Sequence, residues 1–153
     1  RDMSRISSET KKLVSFGEIT RELVQQHVTK DVEYAVFDLS DAISEKNAAK
    51  SIEIIQALLN GGEDAVKIII TLYNFYRRMF YAATGDCGTE ELSRLFNVKP
   101  YAMKRAAQTA SRYTPAQLKQ ALELAAKAEK DLRDFSVNDR ETVRALVLNL
   151  LCV

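Results

Sequence analysis

From Val36 onward the apolar residues return every three or four positions, the spacing of helices that bury one side and wet the other. Phe37, Leu39, Ala42 and Ile43 fit one short helix, and Ala48, Ile52, Ile55 and Leu59 step along one face of a second. Gly61-Gly62 should end that second helix, because glycine takes the left-handed conformation of a C-terminal cap at little steric cost. From Glu63 to about Ala83 runs the longest and most apolar segment. Its Ile68-Ile69-Ile70, Leu72-Tyr73, Phe75-Tyr76 and Met79-Phe80-Tyr81 leave no clean polar face, which predicts a central helix touched from several sides. Strand competes only over Ile68 to Ile70, and the length of the segment without turn residues decides for helix.

Further along, Gly85 and Gly88 mark a loop, and Thr89-Glu90-Glu91-Leu92 opens a short helix whose first-turn acids suit the helix dipole. That helix should end near Asn97, and Pro100 fits the first turn of the next, which runs to about Arg112. Thr114-Pro115-Ala116-Gln117 combines an N-cap Thr, Pro at the first helical position and Gln at the third, a capping box for a helix that should bury Leu118, Leu122, Ala125 and Leu132. Asn138-Asp139-Arg140-Glu141 is a second such start, followed by the stripe Val143, Leu146, Val147, Leu150 and Leu151. Upstream, Ser4 to Val14 reads as a polar helix remnant, Gly17 as its end, Thr20 as the cap of a short helix reaching Val28, and Thr29-Lys30-Asp31 as a joint. The pattern holds no convincing strand and no fixed-period repeat. It predicts an all-α fold: a multi-helix bundle over residues 31–153 with a short N-terminal helical remnant, residues 1–30.

Composition acts mainly by exclusion. With 46% hydrophobic residues and only five Gly and two Pro, the chain has material for a core and few breakers, so disorder is excluded. Lys plus Arg, 22, nearly balances Asp plus Glu, 21, so overall charge argues for neither nucleic acid nor membrane nor an acidic substrate. Cys87 and Cys152 lie too far apart for a CxxC site and are too few for a disulfide framework; they read as reduced thiols. No apolar run approaches the roughly 20 residues of a membrane span and no leader pattern opens the chain, so a cytoplasmic protein without a membrane partner is expected. The start at Arg1, with Met3 just behind it, reads as the middle of a longer protein.

Catalytic chemistry is sparse in the same way. There is no GxxxxGK[ST] loop, and Gly61-Gly62 is followed by Glu63 and Asp64, which would repel phosphate. His27 is the single histidine and reads as a surface residue rather than a catalytic one. No catalytic residue, metal or cofactor is assigned.

One local charge feature stands out. Between Glu91 and Glu123 there is no Asp or Glu, while Arg94, Lys99, Lys104, Arg105, Arg112 and Lys119 all fall inside. The ordinary reading is a solvated helix face whose acids come from another helix; the alternative is a face for phosphate. Residues Glu91 to Arg105 also have the cadence of a helix-turn-helix, with Asn97 at the turn, Met103 inward, and Tyr101, Lys104, Arg105 and Gln108 outward, a geometry that serves DNA readers and plain helix packing alike. The DNA-contact candidates are therefore Lys99, Lys104, Arg105, Gln108 and Arg112. Among the aromatics of the long helix, Tyr73, Tyr76, Phe80 and Tyr81 are candidates for a subunit interface, with core packing as the default.

The order of segments resembles a known family. Phe37-Asp38-Leu39-Ser40-Asp41-Ala42-Ile43, then Ala49 to Leu59, then Gly62-Glu63-Asp64 leading into the long apolar helix, is similar to the C-terminal part of the delta subunit of bacterial DNA polymerase III, a clamp-loader subunit. Leu95-Phe96-Asn97-Val98-Lys99-Pro100-Tyr101, Arg112-Tyr113-Thr114, the Leu118 to Leu132 helix and Leu148-Asn149-Leu150-Leu151 continue the likeness in the same order. Gamma and delta-prime type subunits share the general plan, but the Phe-Asp-Leu opening and the Asn-Val-Lys-Pro-Tyr stretch favour delta. The resemblance implies that residues 1–30 are the end of an AAA+-type helical lid domain and 31–153 a collar that joins other clamp-loader subunits, without catalysis of its own. It also implies that the sliding clamp is met by an N-terminal domain this chain lacks, and it leaves open an indirect contact of the basic stretch with primed DNA. A helix-turn-helix DNA-binding regulatory domain is the alternative reading.

Overall fold

Each helix of the protein starts or stops where local chemistry directs it. The computed structural model describes residues 32–133 and 138–153, together with the helical and exposed Ser7, Thr10, Lys11 and Val14. Gly17, Thr20, His27 and the joint at 29–31 lie outside the described residues. Seven helices run through the described part: α1 Val32–Ser44, α2 Ala48–Asn60, α3 Ala65–Thr84, α4 Thr89–Leu95, α5 Pro100–Ala110, α6 Pro115–Asp131 and α7 Asp139–Leu151. No strand occurs among the described residues, and the expected all-α bundle is what forms. By its internal contacts the chain divides into two units, Arg1–Asp31 and Val32–Val153, and α1 to α7 all belong to the second.

Three helices end the same way. Lys46 (φ 55°), Gly62 (φ 82°) and Asn97 (φ 49°) adopt the left-handed conformation just past α1, α2 and α4. In each case two backbone N–H groups turn back to helix carbonyls: Asn47 to Ala42 and Lys46 to Ile43, Glu63 to Leu58 and Gly62 to Leu59, Val98 to Ser93 and Asn97 to Arg94. This is the Schellman arrangement, and it satisfies carbonyls that would otherwise lack partners. Helix starts are equally well marked. Asn47, Asp64, Thr114 and Asn138 accept N–H bonds from the first turns of α2, α3, α6 and α7. The Thr114–Gln117 capping box forms in full, whereas Glu141 pairs with Arg144 at 2.6 Å rather than completing a box with Asn138.

Helix α3 is the axis of the unit and packs against α1, α4, α5, α6 and α7. Along its length only Lys67, Ile70, Tyr81, Ala83 and Thr84 are exposed, in keeping with a helix touched from several sides. Ile68, Ile69, Leu72, Phe75, Tyr76 and Met79 are fully enclosed, and with Leu39 and Ile43 of α1, Met103 of α5, Leu118 of α6 and Val143 of α7 they build one continuous core.

Two expected faces are turned from their predicted positions. In α2 the buried side is Ser51, Ile55, Leu58 and Leu59, while Ala48 and Ile52 face outward. Ser51 can go inside because its hydroxyl donates to the Asn47 carbonyl at 2.8 Å and needs no further partner. In α6 the buried side is Leu118, Ala121, Ala125 and Ala128, and Leu122 and Leu132 are only half-buried. The pairing of α6 with α3 is the most extensive in the bundle, and alanines let two helix backbones approach where leucines would hold them apart.

Candidate functional site

The acid-free basic stretch runs from α4 through α5 into α6, and the arginines in and just after α5 take their carboxylates from α1 and the turn that follows it. Arg105 is fixed by an ion pair to Asp41 and a looser one to Asp38 at 3.6 Å, and its guanidinium lies 5.9 Å from the centre of the Phe37 ring. The Tyr101 hydroxyl accepts from Arg105 at 3.3 Å, and Thr109 Oγ1 donates to the second Asp41 oxygen at 3.0 Å. Both carboxylate oxygens of Asp41 are thus engaged. The Asp41 contact, then that of Tyr101, holds Arg105 still further above its ordinary range, against a smaller opposing effect of burial. Seven residues further along, just past the end of α5, Arg112 donates to Ser44 Oγ at 2.8 Å and to Glu45 at 3.3 Å.

These pairings tie two of the five DNA-contact candidates to the α1 side, Arg105 from α5 itself and Arg112 from the turn after it. The other three behave differently. Lys99, Lys104 and Gln108 are exposed, and among the described residues their side chains have no hydrogen-bond or ion-pair partner. Tyr101, Lys104, Arg105, Gln108, Thr109 and Arg112, with Asp41 at the back, line a depression of about 320 Å³. Met103, on the opposite side of α5, is fully buried, as the helix-turn-helix cadence required. Of the residues that a DNA-reading second helix would turn outward, Arg105 is held by Asp41, while Tyr101, Lys104 and Gln108 are exposed.

The interface candidates also separate. Tyr76 is fully enclosed, edge-on to Phe75 and Tyr113 at 6.4 Å each, so it belongs to the core and cannot meet a partner. Tyr73 and Phe80 are half-buried, and Tyr81 is 45% exposed. Tyr81 packs edge-on against Phe80 at 6.2 Å and Phe96 at 5.4 Å, and the Arg77 guanidinium lies over the Phe96 ring at 5.1 Å. Beside this cluster Leu95 is 69% exposed. Phe96 and Leu95 had only their apolar character to signal such a role, and helical spacing alone does not tell an outward leucine from an inward one. A further shallow groove, of about 310 Å³, lies between α2 and α7, where Ile52 and Leu148 stand open beside Gln56 and Arg144. No cluster of potential metal ligands occurs among the described residues.

The described unit is an all-α bundle whose surface carries an aromatic cluster, an apolar groove and a donor-lined depression. Comparison with known proteins gives the family: the family model for the DNA polymerase III delta subunit, C-terminal domain, matches residues 33–150, and the chain belongs to that family. The DNA polymerase III subunit delta of Bacillus subtilis (strain 168) is 24% identical over 156 residues, covering 97% of this chain and 45% of its own length. The solved structure of the Bacillus subtilis DNA clamp loader delta protein superposes with a TM-score of 0.78 at 23% identity, covering 99% of this chain and 47% of that one. The chain therefore spans about half the length of the relatives it matches. The resemblance read from the sequence is borne out. The helix-turn-helix-like stretch falls inside the matched region, which gives it a place in the family's own bundle.

Proposed function

We propose that residues 31–153 act as the collar of a clamp loader, joining this chain to other clamp-loader subunits, and that residues 1–30 are the end of a helical lid domain. The observation that carries the reading is the match of residues 33–150 to the delta C-terminal domain. The open apolar surface around Tyr81, Phe80 and Leu95 and the groove at Ile52 and Leu148 supply what a subunit contact needs: apolar area rimmed by polar and charged side chains. On this reading the chain works by holding partners in register, contributes no catalytic group, acts in the cytoplasm, and serves DNA replication through the assembly that loads the sliding clamp. Contact with the clamp itself falls to a domain outside this sequence.

The test is reconstitution. The chain is mixed with gamma-type and delta-prime-type subunits of the same genome and run on a sizing column with light scattering. Co-elution as a stoichiometric complex is expected, weakened by Tyr81→Glu or Leu148→Glu, because a charge placed in an apolar contact must be desolvated. Elution of the chain alone in the presence of its partners would remove the assembly reading.

A further inference from the structure

The aromatic cluster near the end of α3 includes a cation that nothing answers. Arg77 lies over the Phe96 ring at 5.1 Å, its Nε is shut away from water, and among the described residues its side chain has no hydrogen-bond or ion-pair partner. Its chain neighbour Arg78, by contrast, donates from Nε to the Asn74 carbonyl at 3.2 Å. Tyr81, one turn further along α3, meets the same Phe96 ring edge-on at 5.4 Å. Phe96 is thus gripped from α3 by two side chains. Next to it in the chain, Leu95 is 69% exposed, the most open large apolar side chain among the described residues.

We infer that this face docks an apolar segment of a neighbouring clamp-loader subunit that carries one carboxylate, its Asp or Glu accepting from Arg77 while apolar side chains cover Leu95 and the Tyr81 ring. The inference deepens the assembly reading and rests on it. A carboxylate is the acceptor that fits: it is planar, takes parallel N–H bonds from a guanidinium and brings the charge Arg77 lacks. An N–H kept from water without an acceptor is costly, and a partner that supplies one relieves that cost on docking. Arginine and tyrosine set in open apolar surface are the residue types that anchor protein contacts. Phe96, already held by Arg77 and Tyr81, needs no reordering to receive the segment. A polyanion such as DNA fits less well, because Glu90 and Glu91 stand exposed on α4, the latter one turn before Leu95, and a run of phosphates would meet them.

The test measures the affinity of the 153-residue chain for the gamma-type and delta-prime-type subunits of the same genome, with circular dichroism verifying that each variant is folded. Arg77→Gln and Leu95→Ser should each weaken binding to one of those subunits by about tenfold or more, the loss expected of an anchor residue. Raising salt should weaken the parent complex more than the Arg77→Gln complex, which has no ion pair left to screen. Arg77→Lys places an amine against the partner's acid, so a carbodiimide should join position 77 to an Asp or Glu of that subunit, identified by mass spectrometry. Changing that acid to lysine should restore binding to Arg77→Glu, a rescue that a merely structural arginine would not give. Affinities that the folded variants leave unmoved, a position 77 joined to no partner acid, or a failed rescue would overturn the contact. So would an Arg77→Gln chain that loses affinity for DNA and keeps its affinity for the subunits. A parent chain that binds the subunits while these variants change nothing loses this contact alone, and the assembly reading stands; a parent chain that binds none of them loses both.

Discussion

The phenol of Tyr76 sits in the centre of the core with its hydroxyl unbonded, close to the equally unbonded hydroxyl of Tyr113. Burial, and then the neighbouring Tyr113, push its pKa well above the ordinary phenol value; burial also raises that of Tyr113. A buried hydroxyl without a partner costs about 1–3 kcal/mol, so Tyr76→Phe should stabilise the unit by about 1 kcal/mol in urea unfolding. The same group sets a pH dependence. In the unfolded chain a tyrosine ionises near pH 10, and in the folded chain later. Above about pH 10 the unfolded state therefore binds fewer protons, and stability falls as pH rises toward the folded pKa. Tyr76→Phe should flatten that alkaline decline, which unfolding curves across the range would record. Lys46 poses a different single-residue question: it holds a left-handed backbone that glycine prefers, yet its Nζ donates to the Leu151 carbonyl at 2.9 Å, at the C-terminal end of α7. Lys46→Ala keeps the strain and loses the cation at the helix end, so a loss of about 0.5–1 kcal/mol is expected. Lys46→Gly loses the same cation but relieves the strain, and should lie within about 0.5 kcal/mol of the parent in thermal unfolding.

At the scale of elements, the caps and the α1–α5 bridge carry the predictions. The capping box of α6 closes two backbone N–H groups at once, so Thr114→Ala should cost about 1 kcal/mol in urea unfolding. The Asp41–Arg105 pair joins helices 64 positions apart in sequence, with side-chain exposures of 23% and 28%. Because water still reaches both groups, a double-mutant cycle with Asp41→Asn and Arg105→Gln should return a coupling of only about 1 kcal/mol. Its importance is geometric: it pins Arg105 and with it the Tyr101 ring. The order of the helices was legible along the chain, as were their stops at Gly62 and Asn97 and their starts at Pro100 and Thr114, because caps are local chemistry within four or five residues. The rotation of α2 and α6 about their own axes was not. Ser51 inside and Ile52 outside, or Ala121 inside and Leu122 half-exposed, depend on how near the neighbouring helix comes.

For the whole molecule, the buried apolar cluster lies, among the described residues, entirely within 32–153. That stretch expressed by itself should keep its helical signal and unfold in one cooperative transition; a gradual, non-cooperative loss of ellipticity on heating would show that the core needs more chain. The sequence by itself determined the fold class, the number and order of the bundle helices and the family, since apolar periodicity and capping residues act over a single turn and survive as pattern. It also narrowed the candidate sites to one basic stretch and one aromatic helix. Only the tertiary structure decided between the members of each. It enclosed Tyr76 and opened Tyr81 on the same helix, and it brought Asp41 to Arg105 and Glu45 to Arg112 while leaving Lys104 and Gln108 unpaired among the described residues. The reason is physical: burial and charge pairing are set by which helix lies alongside, and that neighbour can be more than 60 residues away along the chain.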